Sequence, residues 1–152
     1  MTTTFTVERN IESLDEIIDE VPAGTITIIC VGKELKSLRG IERLPSVTEL
    51  YAAANRITSL EGLAGSNVTR LSVHFNLITS LKDLTTSNVT ILDISYNQIA
   101  SLKDLAGTNV TKLYISYNPC YEQFRDEFEG SVQRVKDYYN QFIDIPKNPG
   151  FD

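Results

Sequence analysis

From Val47 onward the apolar positions fall into columns that return every 21 residues. Three segments align without a gap: VTELYAAANRITSLEGLAGSN from Val47, VTRLSVHFNLITSLKDLTTSN from Val68 and VTILDISYNQIASLKDLAGTN from Val89. A fourth copy opens at Val110 as VTKLYISYNPC, and a weaker one, one residue longer, starts at Thr25. One column is Leu50, Leu71, Leu92 and Leu113, with Ile28 before them; the next is Ala52, Val73, Ile94 and Ile115, with Cys30 before them. Alternation within Leu50-x-Ala52 and its copies is the period of a strand buried on one face. The later half of each unit spaces its apolar residues three apart, as in Ile78, Leu81 and Leu84, which suits a short 3₁₀ turn. Each unit is therefore predicted to be a strand, a corner, a short convex segment and a return. One such coil cannot bury its own apolar side, but stacked coils share a continuous core.

Asn55, Asn76, Asn97 and Asn118 hold the one polar column inside this pattern, and Lys33 stands there in the first unit. A carboxamide both donates and accepts, so it can satisfy backbone groups of its own and the adjacent coil where the chain turns inward. A structural ladder of asparagines is predicted.

The run Val89-Thr-Ile-Leu92-Asp-Ile94-Ser-Tyr-Asn97-Gln-Ile99 resembles the leucine-rich repeat pattern Leu-x-x-Leu-x-Leu-x-x-Asn-x-Ile. The short repeat is similar to the class found in regulatory subunits of type 1 protein phosphatase, small intracellular adaptors and bacterial internalins. The resemblance implies an α/β fold, a right-handed solenoid with a parallel sheet on its concave face. It also implies a non-enzymatic protein-interaction module, acting as adaptor or regulatory subunit. An internalin-like secreted or surface adhesive protein is the alternative.

A solenoid must close its ends. Residues 1–24 are read as an N-terminal helical cap, with Ile11, Leu14, Ile17, Ile18 and Val21 at helical spacing, Ser13 and Glu16 as a capping box, and Phe5-Thr-Val7 as a possible strand beside the first coil. The five repeats then cover 25–120. Residues 121–145 are read as a C-terminal cap of two amphipathic helices meeting at Gly130, carrying Tyr121, Phe124, Phe128, Val132, Val135, Tyr138, Tyr139 and Phe142. Its Asn-Pro-Cys opening and Phe124-Arg125 pair resemble the C-terminal cap of small intracellular leucine-rich repeat proteins. Residues 146–152 are read as a frayed tail, and the whole as a single domain.

Composition narrows the function. Fourteen Lys and Arg face twenty Asp and Glu, a net charge of -6, which argues against a nucleic-acid partner because counterion release needs a cationic surplus. The two ends carry the acid: residues 1–22 hold six acids and the single base Arg9. Charged faces of cap elements are ordinarily only solvated. No apolar run approaches the roughly 20 residues that cross a bilayer, and the first residues lack the basic-then-apolar pattern of a secretory leader, so the expected compartment is cytoplasmic. No phosphate-binding glycine loop, metal-ligand spacing or dinucleotide motif is present, so no cofactor or metal is expected. Cys30 and Cys120 fall in inward columns and read as inert core thiols.

Outward positions of the predicted sheet are left for function. Tyr51, Arg70, His74, Asp93 and Tyr114 lie on that face, and Phe75, Tyr96 and Tyr117 form a stripe just before the asparagines. Large aromatic side chains give contact area at modest entropic cost, the composition of interface hot spots. The stripe could equally stack on itself and shield the strands. The expected partner is a protein or peptide, one helix, loop or small domain, bound by a monomer. Lateral spacing in the sheet also places Ser95 beside His74 and near Asp93, which raises a small hydrolase as a minor alternative. Three Asn-x-Thr sequons, at Asn67, Asn88 and Asn109, recur with the repeat and read as turn residues leading into each strand.

Overall fold

A computed structural model of the chain describes residues 3–143. Six three-residue strands follow one another: β1 (Thr4–Thr6), β2 (Thr27–Ile29), β3 (Glu49–Tyr51), β4 (Arg70–Ser72), β5 (Ile91–Asp93) and β6 (Lys112–Tyr114). They pair in that order, all parallel, in a single sheet. The register is that of the repeat: Leu50 faces Leu71, which faces Leu92, which faces Leu113. Opposite the sheet, 3₁₀ turns at Ile41–Arg43, Lys82–Thr86 and Lys103–Gly107 return the chain. Between sheet and turns runs one core, in which Leu50, Ile57, Leu60, Leu63 and their copies one and two coils later are inaccessible to water or within about one per cent of it. The architecture is a leucine-rich repeat solenoid.

The asparagine column lies buried at the corner of each coil. Asn97 Oδ1 accepts the Ile78 N–H of the preceding coil at 2.9 Å, while Asn97 Nδ2 donates to the Val73 carbonyl of that coil and to the Ile94 carbonyl of its own. Asn76 and Asn118 repeat this scheme, and Asn55 Oδ1 accepts from both Lys33 and Leu35 N–H. Buried amides that would otherwise lose about 1–3 kcal/mol each are satisfied there.

A second asparagine column, not anticipated as hydrogen-bonding, runs along the return. Nδ2 of Asn67, Asn88 and Asn109, the sequon residues, donates to the carbonyls of Pro45, Ser66 and Ser87 respectively at 2.8–2.9 Å. Their recurrence is thus explained by coil-to-coil bonding.

At the N-terminus the expected helix from Ile11 to Val21 is corrected to a single 3₁₀ turn, Leu14–Ile17. The segment is instead a further coil of the solenoid. Val7 N–H bonds the Ile29 carbonyl, Ile11 the Lys33 carbonyl and Asp15 the Arg39 carbonyl, and Val7, Ile11, Leu14 and Ile17 extend the buried columns. Of the capping box, the Glu16 carboxylate accepts the Ser13 N–H at 3.1 Å and also the Glu12 N–H. The strand β1 makes the sheet six strands wide, about 24 Å at the usual spacing, where five repeats alone give about 20 Å.

At the C-terminus stand two helices, α1 (Tyr121–Asp126) and α2 (Val132–Ile143). They are joined through Gly130, whose left-handed backbone (φ +67°) lets its N–H close on the Phe124 carbonyl at 2.8 Å. Phe124, Phe128 and Val135 are buried and cover the last coil. The tail assigned to 146–152 lies outside the described residues.

Candidate protein-binding surface

The four inner strands, β2 to β5, bury their central residue and turn the two flanking ones outward, because successive side chains of a strand alternate; in the edge strands β1 and β6 the central residue is half-buried. Lateral pairing then aligns these outward residues in rows. One row is Thr27, Glu49, Arg70, Ile91 and Lys112; the next is Ile29, Tyr51, Ser72, Asp93 and Tyr114. Four of the residues singled out from sequence, Tyr51, Arg70, Asp93 and Tyr114, border one shallow depression of about 210 Å³, together with Ser72 and Ile91. Arg70 Nε lies 3.9 Å from Glu49 Oε1, which also accepts from Thr27 through its second oxygen at 3.1 Å. Lys112 Nζ sits 5.6 Å from the centre of the Tyr114 ring, a cation–π contact.

His74 stands on the neighbouring turn, with Asp93 Oδ2 3.4 Å and Ser72 Oγ 2.9 Å from its Nδ1. Asp93 Oδ1 accepts the Ser95 N–H at 3.1 Å. The hydroxyl that reaches the His74 ring is that of Ser72, two residues before it in the chain. The arrangement also differs from that of a hydrolytic triad, in which the serine meets one ring nitrogen and the carboxylate the other. Here the Ser72 hydroxyl and the Asp93 carboxylate both lie nearest the same ring nitrogen.

Phe75, Tyr96 and Tyr117 lie away from the depression, at the corner after each strand. Their rings stack, with centroids 4.1 and 4.2 Å apart and planes within 13°. His74 meets the Phe75 ring edge-on at 5.7 Å. The self-stacking use of the stripe is therefore present, yet the rings keep 51%, 40% and 67% of their surface exposed in that order. All three residues have left-handed backbones, φ 55–58°, as does Ala54 one coil earlier (φ 56°). The rings on either side of Tyr96 displace water, and with the adjacent Tyr117 hydroxyl they hold the Tyr96 hydroxyl above the usual phenol range.

Burial pushes the thiols of Cys30 and Cys120 up to about 11, which leaves them protonated and unreactive at neutral pH. Among the described residues no cluster of His, Cys, Asp and Glu has the makings of a metal site, and no helix is long and apolar enough to cross a membrane.

Parallel strands, convex 3₁₀ turns and buried asparagines define the class, a leucine-rich repeat fold. Among solved structures the chain is similar to internalin C2 from Listeria monocytogenes str. 4b F2365, with a TM-score of 0.54 and 22% sequence identity. The match covers 76% of this chain and 62% of that one, so the chain spans about three-fifths of the internalin's length. No protein-family model and no curated protein matches the sequence.

Proposed function

We propose that the chain is a protein-interaction module that binds one helix, loop or small domain of a protein partner on its concave face, in the manner of an adaptor or regulatory subunit. One observation carries this reading: the depression bordered by Tyr51, Arg70, Ser72, Ile91, Asp93 and Tyr114. These side chains point away from the core, so they are not needed to hold the coils together. The two tyrosines bracket Ser72 and Asp93 across four consecutive strands, an apolar rim around hydrogen-bonding groups. Tyrosines are among the residues that most often carry the binding energy of protein interfaces. Arg70 and Asp93 give the depression charges of both signs for a partner's polar groups to meet.

The test is the double substitution Tyr51→Ala with Tyr114→Ala. A photo-crosslinking residue at position 51 or 114, used in the native cell extract, identifies the protein that contacts this face. Its affinity for the double variant should then fall about 100-fold, since two hot-spot tyrosines contribute about 1–2 kcal/mol each, while the thermal midpoint stays within a few degrees. Undiminished binding by a folded double variant would rule out the concave face.

A further inference from the structure

The aromatic column has an open end. Its ring positions are set by the pitch of the solenoid, because each ring leaves a left-handed residue immediately before a buried asparagine. A further coil would lay a fourth ring on the outer face of Tyr117. The chain instead turns into α1 at Tyr121, and the place of that ring is an open hollow of about 500 Å³ bordered by Ser116, Tyr117, Tyr121, Glu122 and Arg125. Tyr117 is accordingly the most exposed ring of the three.

We propose that this hollow receives one uncharged aromatic side chain of the protein partner, stacked on Tyr117 as the fourth ring of the column. The proposal rests on the interaction-module reading above and adds an anchor beyond the concave depression. Two features favour a planar, neutral ring. Phe75, Tyr96 and Tyr117 already show that flat rings pack here at 4.1–4.2 Å without tilting. The rim carries charges of both signs: Arg125 forms two hydrogen bonds with Asp126, at 2.7 and 3.0 Å, and lies 5.7 Å from the Tyr121 ring centre, and Glu122 borders the same hollow. An anionic ligand would meet the Glu122 carboxylate at this rim, whereas a neutral ring covers Tyr117 and leaves the Arg125–Asp126 pair intact.

The probe is N-acetyl-L-tryptophanamide, titrated into the full chain and followed by NMR. The expected result is a saturable set of ring-current shifts at Tyr96, Tyr117, Tyr121 and Arg125, with weak affinity. Tyr117→Ala should weaken it about tenfold, the order of one stacked aromatic pair, and Tyr117→Phe should retain it. Ala54 already occupies the same left-handed position in its own coil, so the alanine variant is compatible with the backbone. Tyr51→Ala with Tyr114→Ala should leave the titration unchanged, which separates this inference from the concave-face reading: either can fail while the other stands. Shifts that do not saturate, or that survive Tyr117→Ala, overturn the proposal. So does equal or tighter binding of methyl β-D-glucopyranoside at the same resonances, which would assign the hollow to a sugar.

Discussion

The two ends of the solenoid are closed by different means. At the N-terminus the core is continued by one more coil, built from the same strand, corner and 3₁₀ turn as those behind it and joined to them by backbone hydrogen bonds from Val7, Ile11 and Asp15. Ion pairs reinforce it from outside, Arg9 with Glu20 at 2.7 Å and Lys36 with Glu12 at 3.0 Å. At the C-terminus the repeat is abandoned. Side chains of α1 and α2 lie over the last coil, Phe124 and Phe128 fill its open columns, and α2 packs along the 3₁₀ turn at Lys103–Gly107 with Lys136 Nζ donating to the Thr108 carbonyl at 2.9 Å. A backbone ladder demands a close and regular approach; an aromatic lid tolerates a looser one. The two ends should therefore fail differently under mutation.

The N-terminal end should break hardest at Gly40. Its backbone is left-handed (φ +106°), and a Cβ there would stand 2.4 Å from the Asp15 amide nitrogen and 2.7 Å from the Leu14 carbonyl carbon. Backbone cannot rotate away as a side chain can, so Gly40→Ala must push the first coil off the second. The expected cost is about 4 kcal/mol, overpacking plus left-handed strain. Gly65→Ala is the control: that glycine is also left-handed, φ +79°, but has nothing within 4 Å of the added carbon, and should cost only about 1 kcal/mol. Urea denaturation of the two variants measures the difference; equal losses would mean that the coils are not in close register.

Next in size is the paired deletion Leu14→Ala and Phe124→Ala, one at each end. Both side chains are buried, and each truncation should cost about 3 kcal/mol by lost contact and residual cavity. The distribution of the damage should differ. In a solenoid each unit leans only on its neighbours, so local exchange reports local loosening. Leu14→Ala should raise amide exchange in β1 and β2, and Phe124→Ala should raise it through α2 while leaving β1 protected. Uniform loss of protection in both would show a fully cooperative chain with no distinction between its ends.

The same contrast explains what could be read in the sequence. Leu50, Leu71, Leu92 and Leu113 are legible because a column at constant offset has no other physical cause than stacking, and the asparagines because a buried carboxamide must bond its surroundings. Ile11, Leu14 and Ile17 misled because a spacing of three is shared by an amphipathic helix and by the convex half of a coil. Their kinship with Leu35, Leu38 and Ile41 at the same spacing was the available signal. Lateral neighbours in the sheet follow from the register, which brings Tyr51, Ser72, Asp93 and Tyr114 together. Rotamers do not follow from it, and so Ser72 rather than Ser95 reaching His74 could not be foreseen. The left-handed backbone under Phe75, Tyr96 and Tyr117 was hidden because bulky residues seldom adopt it. Gly32, at the equivalent place in the first coil with φ +66°, is the one residue there that announces it.

The smallest expected effect, and the one most specific to the N-terminal coil, is on acid stability. The Glu16 carboxylate accepts N–H groups from Glu12 and then Ser13, and these bonds hold it below the usual carboxylate range. Because its folded value is depressed, the stabilisation is complete above the unfolded glutamate value of about 4.3. It is lost as the pH falls through the folded value. Glu16→Gln keeps an oxygen acceptor but cannot titrate. At neutral pH it should lower the thermal midpoint by about 1–2 °C, and that gap should close as the pH falls through the carboxylate range, because the wild-type carboxyl is by then neutral too. Thermal melts of both proteins across that range decide it. A gap that stays constant with pH would mean that Glu16 acts through shape rather than charge, and that the first coil is held by its backbone ladder and buried columns alone.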